Sequence, residues 1–431
     1  MRIDRVLAPA FLILTASSAA LAARLDYTAE IGYLHSDNIN LSAVDPVAEN
    51  LLIPQLAFRF SEDGSIVRAQ VNGLVEYRDY LGGAFGNEFR GTLDGVVDWT
   101  LIPERLKWSF ADSLGLNPIN LRLPDSPDNL QQTNVFSTGP TLQFRLGQST
   151  MGQAELRYTD SYAQTTDEFN SGRLSAALRA LKDLDSTRRL SANLEASKIN
   201  YDNNSQQSDY TRYAGYAGYT QKLSQLDLDV ALGYSHFDFD RGEHINAALI
   251  RANLNWRASA QNTFGLGVYR DISDAATSLA ISNADIGNGF GGISIGGAAI
   301  SPDVYKNHRI EGRYALETVR ISLISAVSFG TIRYISDSAI DSDRNELEGR
   351  VDLAYKLRPN LTLGVLAGII RRDYQVGNVD TRDTLFGAYL RQQMSRHWGW
   401  RVDIARNERK DQTDALSYHE SSAYVRLIYS R

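Results

Sequence analysis

The sequence predicts an all-β protein, a transmembrane antiparallel up-and-down β-barrel of about 20 strands, with roughly 16 to 22 compatible with the pattern. Three observations predict it. Apolar and polar residues alternate with period two along nearly every segment, short and long connections between segments alternate along the chain, and the composition excludes a helical membrane bundle. Hydrophobic residues make up 43% of the 431 residues, mean hydropathy is negative, and beyond the N-terminus no run reaches about 18 apolar residues. A membrane-crossing chain of this composition has to cross with strands, each pairing its backbone groups with neighbours. The 22 Tyr and 33 Gly, against three Met, suit strands and turns better than long helices.

Residues 1–22 have the pattern of a secretory signal peptide: Arg2 and Arg5, an apolar segment from Val6 to Leu14, then small residues ending Ala20-Leu21-Ala22. Cleavage after Ala22 leaves 23–431 as a single outer-membrane barrel domain. With no cysteine, disulfides, thiolate metal sites and cysteine nucleophiles are excluded. A net charge of -7 without a long basic run gives nucleic acid no electrostatic footing. The six histidines stand singly, without paired metal-ligand spacing, so neither cofactor nor catalytic activity is expected.

The strands follow in order. Leu25, Tyr27, Ala29, Ile31 and Tyr33 alternate with Asp26, Thr28, Glu30 and Gly32, and a polar stretch begins at Ser36. Leu51 to Ser61 is a second strand, Glu62-Asp63-Gly64 a tight turn, and Ile66 to Tyr80 a third. Phe89 to Ile102 turns at Pro103-Glu104-Arg105 and returns from Leu106 to Leu116. Further short turns fall at Gly147 to Thr150, Lys182 to Ser186, Ser224-Gln225, Ala260 to Asn262, Glu317-Thr318, Arg358 to Asn360 and Ser395 to Trp398. Longer polar connections separate them, among them Asn117 to Asn134, Ser161 to Ser171, Ile335 to Asn345 and Asn407 to Ser417. Short turns on one side and long loops on the other is the asymmetry of outer-membrane barrels.

Aromatic residues add an independent sign. Trp99, Trp108, Trp256, Trp398 and Trp400 lie beside short turns, whereas Tyr33, Tyr80, Tyr162, Tyr201, Tyr210, Tyr234, Tyr334, Tyr374 and Tyr418 lie beside long loops, which predicts two interfacial girdles. The opposite parity predicts the lumen lining: Arg68, Arg78, Arg90, Asp94, Asp98, Arg251, Arg257, Arg313, Glu348, Arg350, Asp352, Arg401 and Arg426. With Arg157 and Arg309, and with Glu30, Glu76, Glu155, Asp227, Asp229, Glu311 and Asp403, at the same parity, the two signs are nearly balanced on this face, which suits a hydrated, neutral or weakly charged solute, or equally a set of charges that pair across strands. A barrel this wide needs a constriction, and Ser273 to Lys306, with its GNGFGGISIGG core, is the candidate plug.

The final segment, Tyr418 to Arg431, places Tyr429, Leu427, Val425 and Ala423 on one face, as the strand that closes the barrel on the first. Tyr429 and Leu427 match the spacing of the C-terminal signal read by outer-membrane assembly machinery, although the last residue is Arg431 rather than an aromatic.

Ser36-Asp37-Asn38-Ile39-Asn40 after the first strand, Pro54 in the second and EYRDY from Glu76 carry a resemblance to a family. The chain resembles the outer-membrane barrels grouped as β-barrel porin 2, which are similar to the EpsL and VpsM types encoded with exopolysaccharide assembly machinery. The resemblance implies a porin for export of a secreted exopolysaccharide, with periplasmic polysaccharide-export and inner-membrane polymerisation components as partners; the expected barrel is a monomer in the bilayer that gives the polymer a passive hydrated path. A general or nutrient-uptake porin and a structural or adhesion scaffold are the other classes that fit the same pattern. Asp37 and Asn38 also suit capping of the first external turn. Tyr33, Tyr77 and Tyr80 suit either a girdle or stacking on sugar rings.

Overall fold

The computed structural model describes residues 23–431 apart from 204–208, 243, 279–302, 378 and 413. Residues 1–22, expected as a signal peptide, and most of the expected plug lie outside this set. The chain forms twenty strands. The first five are β1 (Arg24–Ser36), β2 (Glu49–Asp63), β3 (Val67–Tyr80), β4 (Glu88–Ile102) and β5 (Leu106–Pro118). Next come β6 (Leu130–Arg145), β7 (Thr150–Ala163), β8 (Ser171–Asp183), β9 (Arg188–Tyr201) and β10 (Tyr210–Lys222). They are followed by β11 (Leu226–Phe239), β12 (Ile245–Arg257), β13 (Asn262–Ser273), β14 (Tyr305–Glu317) and β15 (Ile321–Tyr334). The last are β16 (Arg344–Arg358), β17 (Leu361–Tyr374), β18 (Asp380–Gln393), β19 (Trp398–Asp411) and β20 (Tyr418–Ser430).

Each strand pairs antiparallel with the next in sequence, and β20 pairs with β1, so the sheet closes as expected. At the seam Ala29 faces Tyr429, Ile31 faces Leu427 and Tyr33 faces Val425. Arg431 and Tyr27 exchange backbone bonds at 3.0 and 3.1 Å, which satisfies the end of a strand that would otherwise be an open edge.

The strands hold because their two faces meet different surroundings. Leu56, Leu178, Leu194, Leu232, Phe386 and Ile404 stand outward and exposed, as a lipid-facing wall requires. Trp99, Trp256 and Trp398 are also exposed, on the short-turn side. Within this wall Asp112 is an exception, held by Asn134, whose Nδ2 donates to its carboxylate at 2.7 Å. Between β6 and β7 pairing lapses at Gly139-Pro140. A Cβ at Gly139 would fall 2.0 Å from the Leu156 carbonyl oxygen, so the close approach needs glycine. Arg157 Nη1 donates to the Gly139 carbonyl at 2.7 Å, filling the gap in the ladder.

Two expectations change. Strands run further than their apolar alternation: the loop expected over Asn117 to Asn134 shrinks to 119–129, and that over Asn407 to Ser417 to 412–417. Above the bilayer both faces are wet, so a strand continues there without the amphipathic signature. The tyrosine girdle is also only partial. Tyr33 and Tyr234 stand outward and exposed, but Tyr80, Tyr201, Tyr210 and Tyr374 are buried on the inward face. They build the core: Tyr201, Tyr210 and Phe237 in one cluster, and Ile39, Leu51, Ile53 and Tyr80 in another.

Candidate functional site: the charged lumen and its constriction

Alternation sets the lumen. Arg68, Arg78, Arg90, Asp94 and Asp98 in β3 and β4 share the parity opposite to the exposed Val75 and Phe89. Arg251 and Arg257 in β12, Arg313 in β14, and Glu348, Arg350 and Asp352 in β16 are placed the same way, as are Arg401 in β19 and Arg426 in β20. Many of these charges pair along their own strand rather than across strands, because residues two apart share a face. Arg78 meets Glu76, Arg90 meets Glu88 and Arg313 meets Glu311, each at 2.7 Å, and Arg401 meets Asp403 at 2.6 Å. Other pairs do cross: Lys107 to Asp98 at 2.9 Å, Arg251 to Asp271 at 2.8 Å, Arg257 to Asp227 at 3.1 Å and Arg426 to Asp403 at 2.9 Å. Arg68 reaches Asp63 at 3.3 Å, and Asp352 accepts from the Tyr389 hydroxyl at 3.3 Å. Arg350 stays exposed in the lumen and makes no ion pair among the described residues.

Two chain segments fold into this space. After β13, residues 275–278 form a helical turn, and Ala275 and Ala276 pack with Val135 of β6, Ala163 of β7, Phe169 in the connection to β8 and Tyr305 of β14. Asp274, just before the turn, meets Arg173 of β8 at 2.6 Å and accepts from the Tyr210 hydroxyl of β10 at 2.7 Å. Burial works to raise the Asp274 pKa, but the Arg173 guanidinium and the Thr277 N–H reverse this and hold it below the usual carboxylate value. The described start of the expected plug thus enters the barrel.

The second segment, 119–129 between β5 and β6, lies within the longer polar connection expected over Asn117 to Asn134, and it folds inward. Its neck is closed by Ile119 N–H to the Asn129 carbonyl at 2.7 Å, and Asn129 Nδ2 donates to the Asn120 and Pro124 carbonyls at 2.8 and 2.9 Å. Its tip reaches the far wall. The Tyr374 hydroxyl of β17 donates to the Leu121 carbonyl at 3.3 Å, and Arg122 lies 4.8 Å from the Tyr374 ring centre and donates to the Asp341 carbonyl. Arg409 Nη1 of β19 donates to the Arg122 carbonyl at 3.4 Å. The apolar content of this stretch, Ile119, Leu121, Leu123, Pro124 and Pro127, was the available sign.

The wall it reaches carries a buried chain of charges: Arg372 to Glu346 at 3.0 Å, Arg372 to Asp383 at 3.2 Å and Arg409 to Asp383 at 2.5 Å, with fully buried Arg344 at 3.3 Å from Glu346. Arg344 and Arg409 carry no sign in the sequence because they fall within the polar connections expected over Ile335 to Asn345 and Asn407 to Ser417, whereas both stand in strands, β16 and β19. Burial pushes Asp125 above the ordinary carboxylate range, although Arg372 and Arg409 draw it down. Between the inward loop and this wall lies a cavity of about 640 Å³, touched by Arg90, Asp125, Arg350, Asp383, Leu121 and Ile39. A second cavity of about 720 Å³ lies against β1 to β6, at Asp26, Arg59, Asn72, Asp94 and Asn117. Among the described residues, no group of three or more His, Asp or Glu is placed to hold a metal.

The Asp37-Asn38-Ile39 element is a fastening. Asn38 is buried; its Nδ2 donates to the carbonyls of Ser42 at 2.8 Å and His419 at 2.9 Å, and its Oδ1 accepts from Ser42 N–H at 3.1 Å. Asp37 Oδ1 accepts the Ser421 N–H at 2.7 Å, and Ile39 is buried beside Leu51 and Tyr80. Asp37 and Asn38 therefore tie the first loop to β20, beside the seam, while Ile39 packs it against β2 and β3.

A closed antiparallel barrel with an apolar outer wall and a charged, constricted lumen defines a transmembrane β-barrel with an aqueous interior. No family model matches the sequence, and no curated protein matches it. Among solved structures the chain is similar to OccAB3 of Acinetobacter baumannii, at 11% identity and a TM-score of 0.40, covering 95% of this chain and 99% of that one. It is similar to OpdK of Pseudomonas aeruginosa with vanillate, at 11% identity and a TM-score of 0.40, with the same coverage of 95% and 99%. A third is the ferric enterobactin receptor PfeA of Pseudomonas aeruginosa, at 10% identity and a TM-score of 0.45, covering 94% of this chain and 81% of that one.

Proposed function

We propose that the protein is an outer-membrane porin for small hydrophilic solutes, an uptake channel rather than an exopolysaccharide exporter. One observation carries this reading: the 119–129 loop crosses the lumen and is fixed to the far wall by Arg122, Tyr374 and Arg409. A polymer in transit needs a continuous wide bore, whereas this loop leaves charged compartments of the size of small molecules. The resemblance to exopolysaccharide-export barrels gains no support, since no family model matches the chain. Movement would be passive, and the paired charges of the lining favour hydrated solutes with weak discrimination by sign.

Liposome swelling with the purified barrel tests this. Amino acids and small carboxylates are expected to enter, and oligosaccharides to be excluded as chain length rises. Equal entry of long oligosaccharides would overturn the reading. In planar bilayers Arg350→Glu, which alters a guanidinium exposed in the constriction, is expected to shift the reversal potential toward cations.

A further inference from the structure

We infer that the outer wall of β13 to β19 carries, at its long-loop end, a docking surface for a phosphorylated lipid of the external leaflet. This rests on the reading that the barrel crosses a bilayer with its long loops outside.

The outward positions here are cationic and placed against one another. Lys306 faces Arg333, Arg371 faces Arg382, and Arg382 faces Lys410, each pair in direct cross-strand register. Like charges directly opposite on a sheet destabilise it unless something compensates. Within the chain compensation is partial. Asp373 and Asp380 take Arg371 at 2.9 and 3.9 Å, and Glu408 takes Lys410 at 3.3 Å. Lys306 and Arg382 are exposed and make no ion pair among the described residues, and the same holds for Arg270 and Arg406 on this face. The corresponding end of β1 to β11 has the reverse balance, with Asp79, Asp160 and Asp238 outward against Lys198.

The occupant follows from what lies beneath. Below the cations the same face is apolar and exposed, with Ile310, Val327, Phe329, Val365, Phe386 and Ile404. A ligand with several negative charges on a head and acyl chains below it satisfies both bands at once. A free phosphate satisfies one. A soluble acidic protein has no access to the apolar band within the bilayer. Phosphate monoesters suit arginine, whose planar fork donates two parallel bonds, and the cations are spread over several strands, as a broad headgroup requires.

The test is native mass spectrometry of the full barrel in detergent, titrated with bis-phosphorylated lipid A. The triple variant Lys306→Gln, Arg382→Gln, Arg406→Gln is compared with Lys198→Gln on the other wall. Lipid A stripped of phosphate and inorganic phosphate as competitor are the further arms. The expected result is retention of lipid A by the native barrel and by Lys198→Gln, weakened about tenfold or more by the triple change. Dephosphorylated lipid A should bind the native barrel as weakly as lipid A binds the triple variant, and millimolar inorganic phosphate should not displace the lipid. Undiminished binding by the triple variant, equal binding of dephosphorylated lipid A, or displacement by inorganic phosphate would each overturn the inference. Channel conductance of the same preparations is expected to be unchanged by the triple variant. A barrel that binds lipid A but conducts nothing would sink the porin reading and leave this one standing.

Discussion

Asp274 sits where the chain leaves β13 and turns into the lumen, with Arg173 at 2.6 Å, the Tyr210 hydroxyl at 2.7 Å and the Thr277 N–H at 2.8 Å. A carboxylate this buried survives in charged form only because each oxygen has a donor. Its pKa is lowered relative to the unfolded chain, so the sign of the pH effect is fixed. The stabilisation is fully present above the ordinary carboxylate value and is lost as pH falls through the depressed folded value. Asp274→Asn removes the charge at every pH and leaves the Arg173 guanidinium buried without its counter-ion, a local cost of about 3 to 5 kcal/mol. Single-channel recording checks this. The native protein is expected to give a steady current at neutral pH that turns noisy in acid, and the variant to be noisy already at neutral pH. Identical traces would show that this contact does not hold the segment.

At the scale of elements the 119–129 loop is one of the two described segments that narrow the barrel, and it acts as a unit because its neck is closed on itself through Asn129. Replacing 121–127 with a short Gly-Ser link should leave β5 and β6 paired, since none of their ladder bonds is touched, and should raise single-channel conductance roughly twofold or more. Conductance equal to that of the native channel would place the constriction elsewhere. The strands that carry this loop were legible in the sequence: Leu106, Trp108 and Phe110 on one face set their parity, and the turn at Pro103-Glu104-Arg105 set their direction. Destination was not legible. Leu121 and Arg122 meet Tyr374 and Asp341 across more than two hundred positions of sequence, and nothing local records such a contact. For the same reason Tyr374 reads as a girdle residue although it is buried beneath the loop. Its position beside a long connection is the same for either role. The lumen lining was legible by parity alone, whereas which charges pair was not, because each inward charge has candidate partners two positions along its own strand, as Glu76 and Arg78 or Glu311 and Arg313, and others across the strand, as Arg251 and Asp271, and parity does not choose between them.

The whole molecule depends on one seam, since a barrel has no edge only if its last strand finds its first. Here β20 lies between β19 and β1, and Tyr429 faces Ala29 on one side and Trp398 on the other. Its ring lies 5.1 Å from that of Trp398, 5.8 Å from His397 and 6.3 Å from Tyr27, an aromatic group at the short-turn end of the seam. Closure is reinforced at the other end by Asn38 and Asp37, which bond to His419 and Ser421, so the seam is fastened independently of Tyr429. Tyr429→Asp therefore separates two roles. At an interfacial position a carboxylate costs about 1 kcal/mol or less against lipid, too little to unfold a barrel with this many paired strands. If Tyr429 serves recognition by the assembly machinery, the variant should refold in detergent with native heat-modifiable mobility while its level in the outer membrane of cells falls severalfold. A variant that fails in both settings would make Tyr429 a packing residue of the seam, and one that reaches the membrane at native levels would move the recognition signal to the other outward residues of β20, with Leu427 first among them.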